Sequence, residues 1–241
     1  MTKSRNTKKT EETKPKYHCE FCEKEFIFES GFTKHLCVYK KRWIDRDHRA
    51  NKLAYDAWTH FYNTNTISGS AKKTRPYEEF IKSPYYASFV KFGNYCIDIS
   101  CINTIRFVDY LLREKVKLSN WNSDKNYTQF LIEYIRLEDP MDAVKRTVNH
   151  CLDLAEEENI QVNDVLRYGN RNRICHSITT GRISPWVLYQ SESGVKLLDT
   201  LSTDQVKMIY DYINPTNWAI KFNKDPEKVL EIKQLLTELK W

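Results

Sequence analysis

Apolar positions recur along most of this chain with the helical period, and proline repeatedly marks where a helix should begin. Ser83-Pro84, Asp139-Pro140, Asn214-Pro215 and Asp225-Pro226 each set a capping residue directly before Pro. The cap oxygen can accept a free backbone N–H, and Pro at the first helical position loses no bond because its donor would be unpaired there anyway. Behind Pro140, the residues Val144, Thr147, Val148, Cys151, Leu152 and Ala155 keep one face. Behind Pro226, Val229, Ile232, Leu236 and Leu239 do the same, and Ser202 with Gln205 forms a capping box before Val206, Ile209 and Ile213. From Val38 to Tyr62 no Gly or Pro interrupts the chain, which predicts one helix with Ala54, Trp58 and Phe61 on its inner face. One stretch breaks the pattern. Between Gly169 and Tyr189, β-branched residues surround Thr180-Gly181, and the expectation there is a short β-hairpin or an ordered loop.

With 6 Gly and 7 Pro in 241 residues, a many-stranded sandwich or barrel is disfavoured. The expected fold class is mainly α, with a small metal-binding module ahead of a helical domain. The expected boundaries are a basic, disordered tail over 1–16, the metal module over 17–37, a basic and aromatic helix over 38–62, a linker over 63–75 and a helical domain over 76–241. No stretch approaches the roughly 20 apolar residues of a membrane span, and the basic N-terminal segment has no apolar run behind it to make a secretory signal. The seven Cys are therefore read in a reducing compartment, cytoplasmic or nucleoid-associated, as thiols or metal ligands rather than disulfides.

The chemistry is densest at Tyr17-His18-Cys19-Glu20-Phe21-Cys22, followed by Phe26, Phe32 and His35. This segment resembles the two-Cys two-His zinc fingers: the aromatic two residues before the first Cys, the Cys-x2-Cys knuckle, the two spaced apolar residues and the His all match. The resemblance implies a Zn²⁺ ion held by Cys19, Cys22, His35 and one further ligand. Here the sequence departs from the family, because Tyr39, Lys40 and Lys41 occupy the place of the second His and none of them binds zinc. Cys37 is the nearest donor, and His48 the weaker substitute. On a regular helix, residues i and i+2 point about 200° apart. A His35-x-Cys37 pair therefore requires the helix to end or tighten near His35. A finger ending in His-x-Cys before a basic, Trp-containing helix is also similar to uncharacterised zinc-finger proteins of large tailed phages.

Formal charge is +6, and it is concentrated. Residues 1–50 carry 13 Lys and Arg against 8 Asp and Glu, leaving little excess in the rest of the chain. A localised basic end points towards polyanions. Lys40 and Lys41 with Arg42, Arg46 and Arg49 form one candidate phosphate-tracking stripe, and Arg171 and Arg173 in a polar loop form another. The bland alternatives are a solvated helix face and a loop that caps a helix. Enzyme signatures fail on spacing. Cys175 and Arg182 are one residue too far apart for a phosphatase loop, and Cys175 and His176, as sequence neighbours, make a poor nucleophile–base pair. Cys96, Cys101, Cys151 and Cys175 read as buried thiols rather than a second metal site, and Asp139 and Asp142 as helix-start acids. The sequence thus predicts a zinc-binding protein that binds nucleic acid, with duplex DNA first, rather than an enzyme. A protein-interaction module and a finger-tethered enzyme on nucleic acid are the rivals.

Overall fold

The computed structural model describes residues 16–64 and 75–241. The expected tail therefore lies outside the described residues except for Lys16, as does most of the expected linker. The fold is mainly α-helical, with one two-stranded antiparallel sheet. The chain divides into two compact units, the first ending at Gly93 and the second running from Asn94 to Trp241.

In the first unit, β1 (Tyr17–His18) pairs with β2 (Glu25–Phe26) in the register Tyr17 to Phe26 and His18 to Glu25. Then come α1 (Glu29–Thr33), α2 (Val38–Ile44), α3 (Arg49–Thr64), α4 (Tyr77–Lys82) and α5 (Tyr86–Asp98), whose last turns belong to the second unit. The single helix expected over 38–62 is two helices. A 3-10 turn at Asp45–Asp47 and an extended His48 (φ −61°, ψ 137°) separate them, and the Asn51 side chain donates to the Asp45 carbonyl across the break at 2.6 Å. Nothing in the apolar spacing announces this break, because it is fixed by a side-chain bond to the backbone. Aromatic packing ties the unit together: Phe21 in the knuckle meets Trp43, Trp43 meets Tyr77, and Phe80 packs between Tyr77 and Trp58 at 5.4 Å from each. Offset and edge-on ring contacts of this kind add to the burial they accompany. Gly93 lets α5 approach the start of α3, since a Cβ there would lie 2.2 Å from the Ala50 carbonyl oxygen.

The second unit comprises α6 (Thr104–Arg113), α7 (Asp124–Leu137), α8 (Pro140–Glu158), α9 (Val165–Tyr168), α10 (Arg171–Thr179), α11 (Pro185–Gln190), α12 (Glu192–Thr200), α13 (Thr203–Ile213), α14 (Pro215–Lys224) and α15 (Pro226–Glu238). Asp139 and Asn214 cap α8 and α14 as their dipeptides predict, and the capping box at Ser202 and Gln205 forms. Asp225 precedes α15 without a side-chain cap bond, and Ser83 caps a turn through Tyr85 N–H while α5 begins at Tyr86. On α8 the buried face is Ala143, Val144, Thr147, Cys151, Leu154 and Ala155, whereas Leu152 is exposed. On α15 Ile232 and Leu236 are buried and Leu239 is exposed.

The stretch expected as a hairpin or ordered loop is two helices, α10 and α11, joined by an ordered turn around Gly181 (φ +74°). The sheet of this protein lies in the N-terminal module instead. Residues Ile183 to Leu188 are fully or almost fully buried, and α11 packs against α8, α12 and α15. An apolar run without polar partners has no period to separate a strand from a buried helix. The deciding signal is Ser184-Pro185, where the Ser184 hydroxyl accepts the Trp186 N–H.

One ion pair anchors that turn. Arg146 on α8 binds Glu138 in bidentate fashion and donates to the Gly181 carbonyl at 2.8 Å. The Glu138 side chain is 2% exposed; burial pushes its carboxyl up, and Arg146 draws it back down. Replacing Arg146 by Met would leave the buried carboxylate unpaired, at a cost of about 3 kcal/mol. Thermal or denaturant unfolding should show that loss, and Glu138→Gln, which keeps an acceptor for Arg146, should lose less.

Candidate metal centre

The knuckle between β1 and β2 is built by backbone bonds. Cys19 N–H donates to Lys24 O at 3.0 Å and Glu23 N–H to Cys19 O at 2.8 Å. Glu23 takes the left-handed conformation (φ 60°) that closes the turn. Beside the knuckle, Tyr17 stacks on Phe32 at 5.7 Å, and Phe26 meets Phe32 at 6.0 Å and His35 at 4.8 Å. These are the three aromatics expected to form the small core. They are only half-buried, and Cys19 is the single fully buried side chain between Lys16 and Arg49 among the described residues. So little apolar burial cannot hold a segment of this length by itself.

The helix behaves as the ligand spacing demands. α1 is only five residues long, ending at Thr33, and its C-cap is Lys34. His35 follows in the turn, and Cys37 has extended backbone (φ −75°, ψ 165°) as the N-cap of α2, where its Sγ accepts the Lys40 N–H at 3.3 Å. The ligand atoms of Cys19, Cys22, His35 and Cys37 then all lie within 4.8 Å of one another. Cys19 Sγ is 4.0 Å from Cys37 Sγ, and Cys22 Sγ is 3.2 Å from His35 Nε2. A tetrahedral ion with bonds of about 2.3 Å to sulfur and 2.0–2.1 Å to nitrogen sets such edges at roughly 3.8 and 3.5 Å. The four donors therefore fit one metal ion. His48 is outside this cluster.

Electrostatics also calls for a cation. Burial raises the Cys19 thiol, but the N–H groups of Cys22 and Phe21 and the neighbouring thiols outweigh it and hold Cys19 below its ordinary value. At Cys22 the Lys24 N–H lowers the thiol, yet desolvation and the facing Cys19 and Cys37 push it up. Clustered thiolates repel, so one ionises at its neighbours' expense unless a positive ion sits among them. The chain matches no protein-family model, no curated protein and no solved structure. No match supports the likeness to phage finger proteins.

The basic residues singled out in the sequence have varied surroundings. Arg42 points inward, donating to the Ile81 carbonyl and stacking on Tyr86 at 4.2 Å, so that it fastens α2 to α4 and α5. Arg46 stacks on Trp43 at 4.8 Å, donates to its carbonyl and faces Asp47 at 3.7 Å. Lys40 reaches the His35 carbonyl at 3.4 Å. Lys41 and Arg49 are exposed, but the break at His48 prevents Arg42, Arg46 and Arg49 from sharing one straight helical stripe. In the second unit Arg171 donates to the Leu166 and Arg167 carbonyls at the end of α9, and Arg173 pairs with Glu157 and Glu158. Asn170 caps α10 by accepting the Asn172 and Arg173 N–H groups.

Two constellations resemble catalytic pairs without their chemistry. Cys175 is fully buried beside His176, and burial pushes its thiol up. His150 Nε2 lies 2.7 Å from Ser177 Oγ, but that hydroxyl donates to the Arg173 carbonyl at 2.8 Å. Ser177 must then accept from the imidazole, so the bond ties α8 to α10 and leaves the ring nitrogen no lone pair to act as a base on it.

Metal titration followed by elemental analysis should find one ion per chain, released as pH falls and the ligands take up protons. Cys37→Ser should weaken binding strongly, and His48→Ala should leave it unchanged. Glu23→Gly should tighten the metal-loaded module by about 1 kcal/mol, since Gly adopts the left-handed turn without a Cβ penalty.

Proposed function

We propose that this chain is a zinc-binding protein whose finger positions a nucleic-acid-binding surface, with duplex DNA as its first partner. Four protein donors close a tetrahedron and leave no open coordination position, which suits a structural rather than a catalytic zinc ion. The observation that carries the nucleic-acid reading is the set of cations around the finger. Lys34, Lys41 and Arg49 are exposed and have no ion pair among the described residues, and residues 1–16, which precede the finger in sequence, hold 6 Lys and Arg against 2 Glu.

The reading is narrower than the finger motif suggests. Base-reading fingers use helix positions −1, 3 and 6. Counted from Glu29, these are Phe28, Gly31 and Lys34, on a helix of five residues. Phe and Gly present no side-chain hydrogen bond to a base edge. The proposed contacts are therefore to phosphates, and they fix position without reading sequence. Protein docking is the second reading, favoured by the exposed apolar side chains Ile27, Phe28, Leu36, Val38 and Ile44 within the same short stretch.

Binding of the zinc-loaded chain to duplex DNA, single-stranded DNA and RNA across a salt series tests the proposal. Affinity should fall linearly on a log–log plot, about equally for unrelated sequences. Changing Lys34, Lys41 and Arg49 together to Gln should lower the slope by about 3, one released counterion for each lost contact. No binding to any of the three polymers would overturn the proposal and leave docking through the apolar side chains as the reading to pursue.

A further inference from the structure

Cys96 and Cys101 read in the sequence as two buried thiols among four. The end of α5 brings them together. Cys101 N–H donates to Cys96 O at 2.8 Å, Ser100 N–H donates to Ile97 O at 2.9 Å, and Ser100 is left-handed at φ 51°. This is a Schellman ending, a motif that sets the side chains at its first and last positions against each other. Those positions are Cys96 and Cys101, so the helix ending sets the two thiols against each other.

The surroundings of the two sulfurs differ. Cys96 is 2% exposed, whereas Cys101 is only half-buried. Cys101 sits just before α6, a ten-residue helix, and the nearby Asn103 N–H and the hydroxyls of Thr104 and Tyr127 lower its thiol. The Tyr127 hydroxyl oxygen accepts the Ile102 N–H at 3.0 Å, which holds that ring beside the segment of Cys101. An open cavity of about 460 Å³ reaches Ser100 and Tyr127, which flank Cys101, and is also lined by His176 and Arg182.

We propose that Cys101 and Cys96 are an attacking and resolving thiol pair that forms a reversible disulfide with low-molecular-weight disulfides of the glutathione type. The Cys101 thiolate attacks one sulfur of the small disulfide, forming a mixed disulfide and expelling one thiolate. The Cys96 thiol gives up its proton and attacks the Cys101 sulfur, expelling the second. Two protein thiols become one disulfide, and the small disulfide takes up the two electrons and both protons as two thiols. The donors around Cys101 suit this order of events. The neighbouring Cys96 thiol, first, and the other donors hold Cys101 below its ordinary value against the effect of burial, while the neighbouring Cys101 and burial push Cys96 up. A guanidinium at Arg182 in the cavity is placed to receive the carboxylates of oxidised glutathione.

The test uses the full-length, zinc-loaded protein treated with oxidised glutathione, digested with trypsin and weighed without reduction. The peptide Phe92–Arg106 holds these two cysteines and no other. In the wild type it should become lighter by two hydrogen atoms and regain them with dithiothreitol. In Cys96→Ser it should instead carry glutathione on Cys101. In Cys101→Ser it should react at least about tenfold more slowly, because a buried and poorly ionised thiol is a slow nucleophile. The proposal is overturned if the wild-type peptide stays reduced, if it accumulates a lasting glutathione adduct, or if Cys101→Ser reacts as readily as Cys96→Ser.

Discussion

Two side chains separated by one residue on a helix point nearly opposite ways, and the N-terminal module is organised around that constraint. A His-x-Cys pair can meet one ion only if the helix stops. α1 stops at Thr33, His35 and Cys37 stand in the turn, and the chain restarts as α2 with Cys37 as its cap. Two consequences follow. The helix that a longer finger would lay along a groove is reduced to five residues. The fourth ligand, Cys37, lies at the N-terminus of α2, where its Sγ accepts the Lys40 N–H. The geometry that completes the ligand set also removes the means of reading bases, and this is why the proposed nucleic-acid contacts go to phosphates.

Phe21 packs on Trp43, and the ring contacts continue through Tyr77 to Phe80 and Trp58. Arg42 adds a bond to the Ile81 carbonyl and a stack on Tyr86. These contacts explain why basic residues that look free along the chain are not equivalent in the fold. An arginine bonded to a buried carbonyl and pressed on an aromatic face serves packing as much as charge. Arg171 and Arg173 are likewise held by carbonyls and carboxylates of their own unit. Among the described residues, the cations left exposed and without an ion pair around the finger include Lys34, which the basic-helix pattern does not single out.

The cysteines separate into three environments, each with its own chemistry. Cys19, Cys22 and Cys37 face one another with His35 within metal-ligand range. Cys151 and Cys175 are buried, and burial alone raises Cys151, to about 12. Cys96 and Cys101 stand at the first and last positions of a Schellman helix ending. Spacing along the chain distinguishes the first group, because a knuckle with flanking aromatics is a local pattern. It does not distinguish the third from the second, since four residues between thiols carry no message until a left-handed Ser100 folds one back on the other.

The sequence by itself determined what depends on neighbours along the chain: the helical class, most capped helix starts, the knuckle and its three aromatics, and the need for the finger helix to end near His35. Each follows from a local period or a local hydrogen bond. Tertiary structure decided what depends on distant partners. It placed α11 in the interior, where an apolar run reads equally as strand or buried helix until Ser184 caps it and α8, α12 and α15 cover it. It put Leu154 inside and Leu152 outside, because two identical residues at i and i+2 on α8 point to opposite faces and only the neighbouring helices decide which face is covered. It broke the basic helix through a bond from Asn51 to the Asp45 carbonyl. And it turned Arg42 inward, because charge is visible in a sequence, whereas the buried carbonyl that captures it is visible only once α4 is packed alongside.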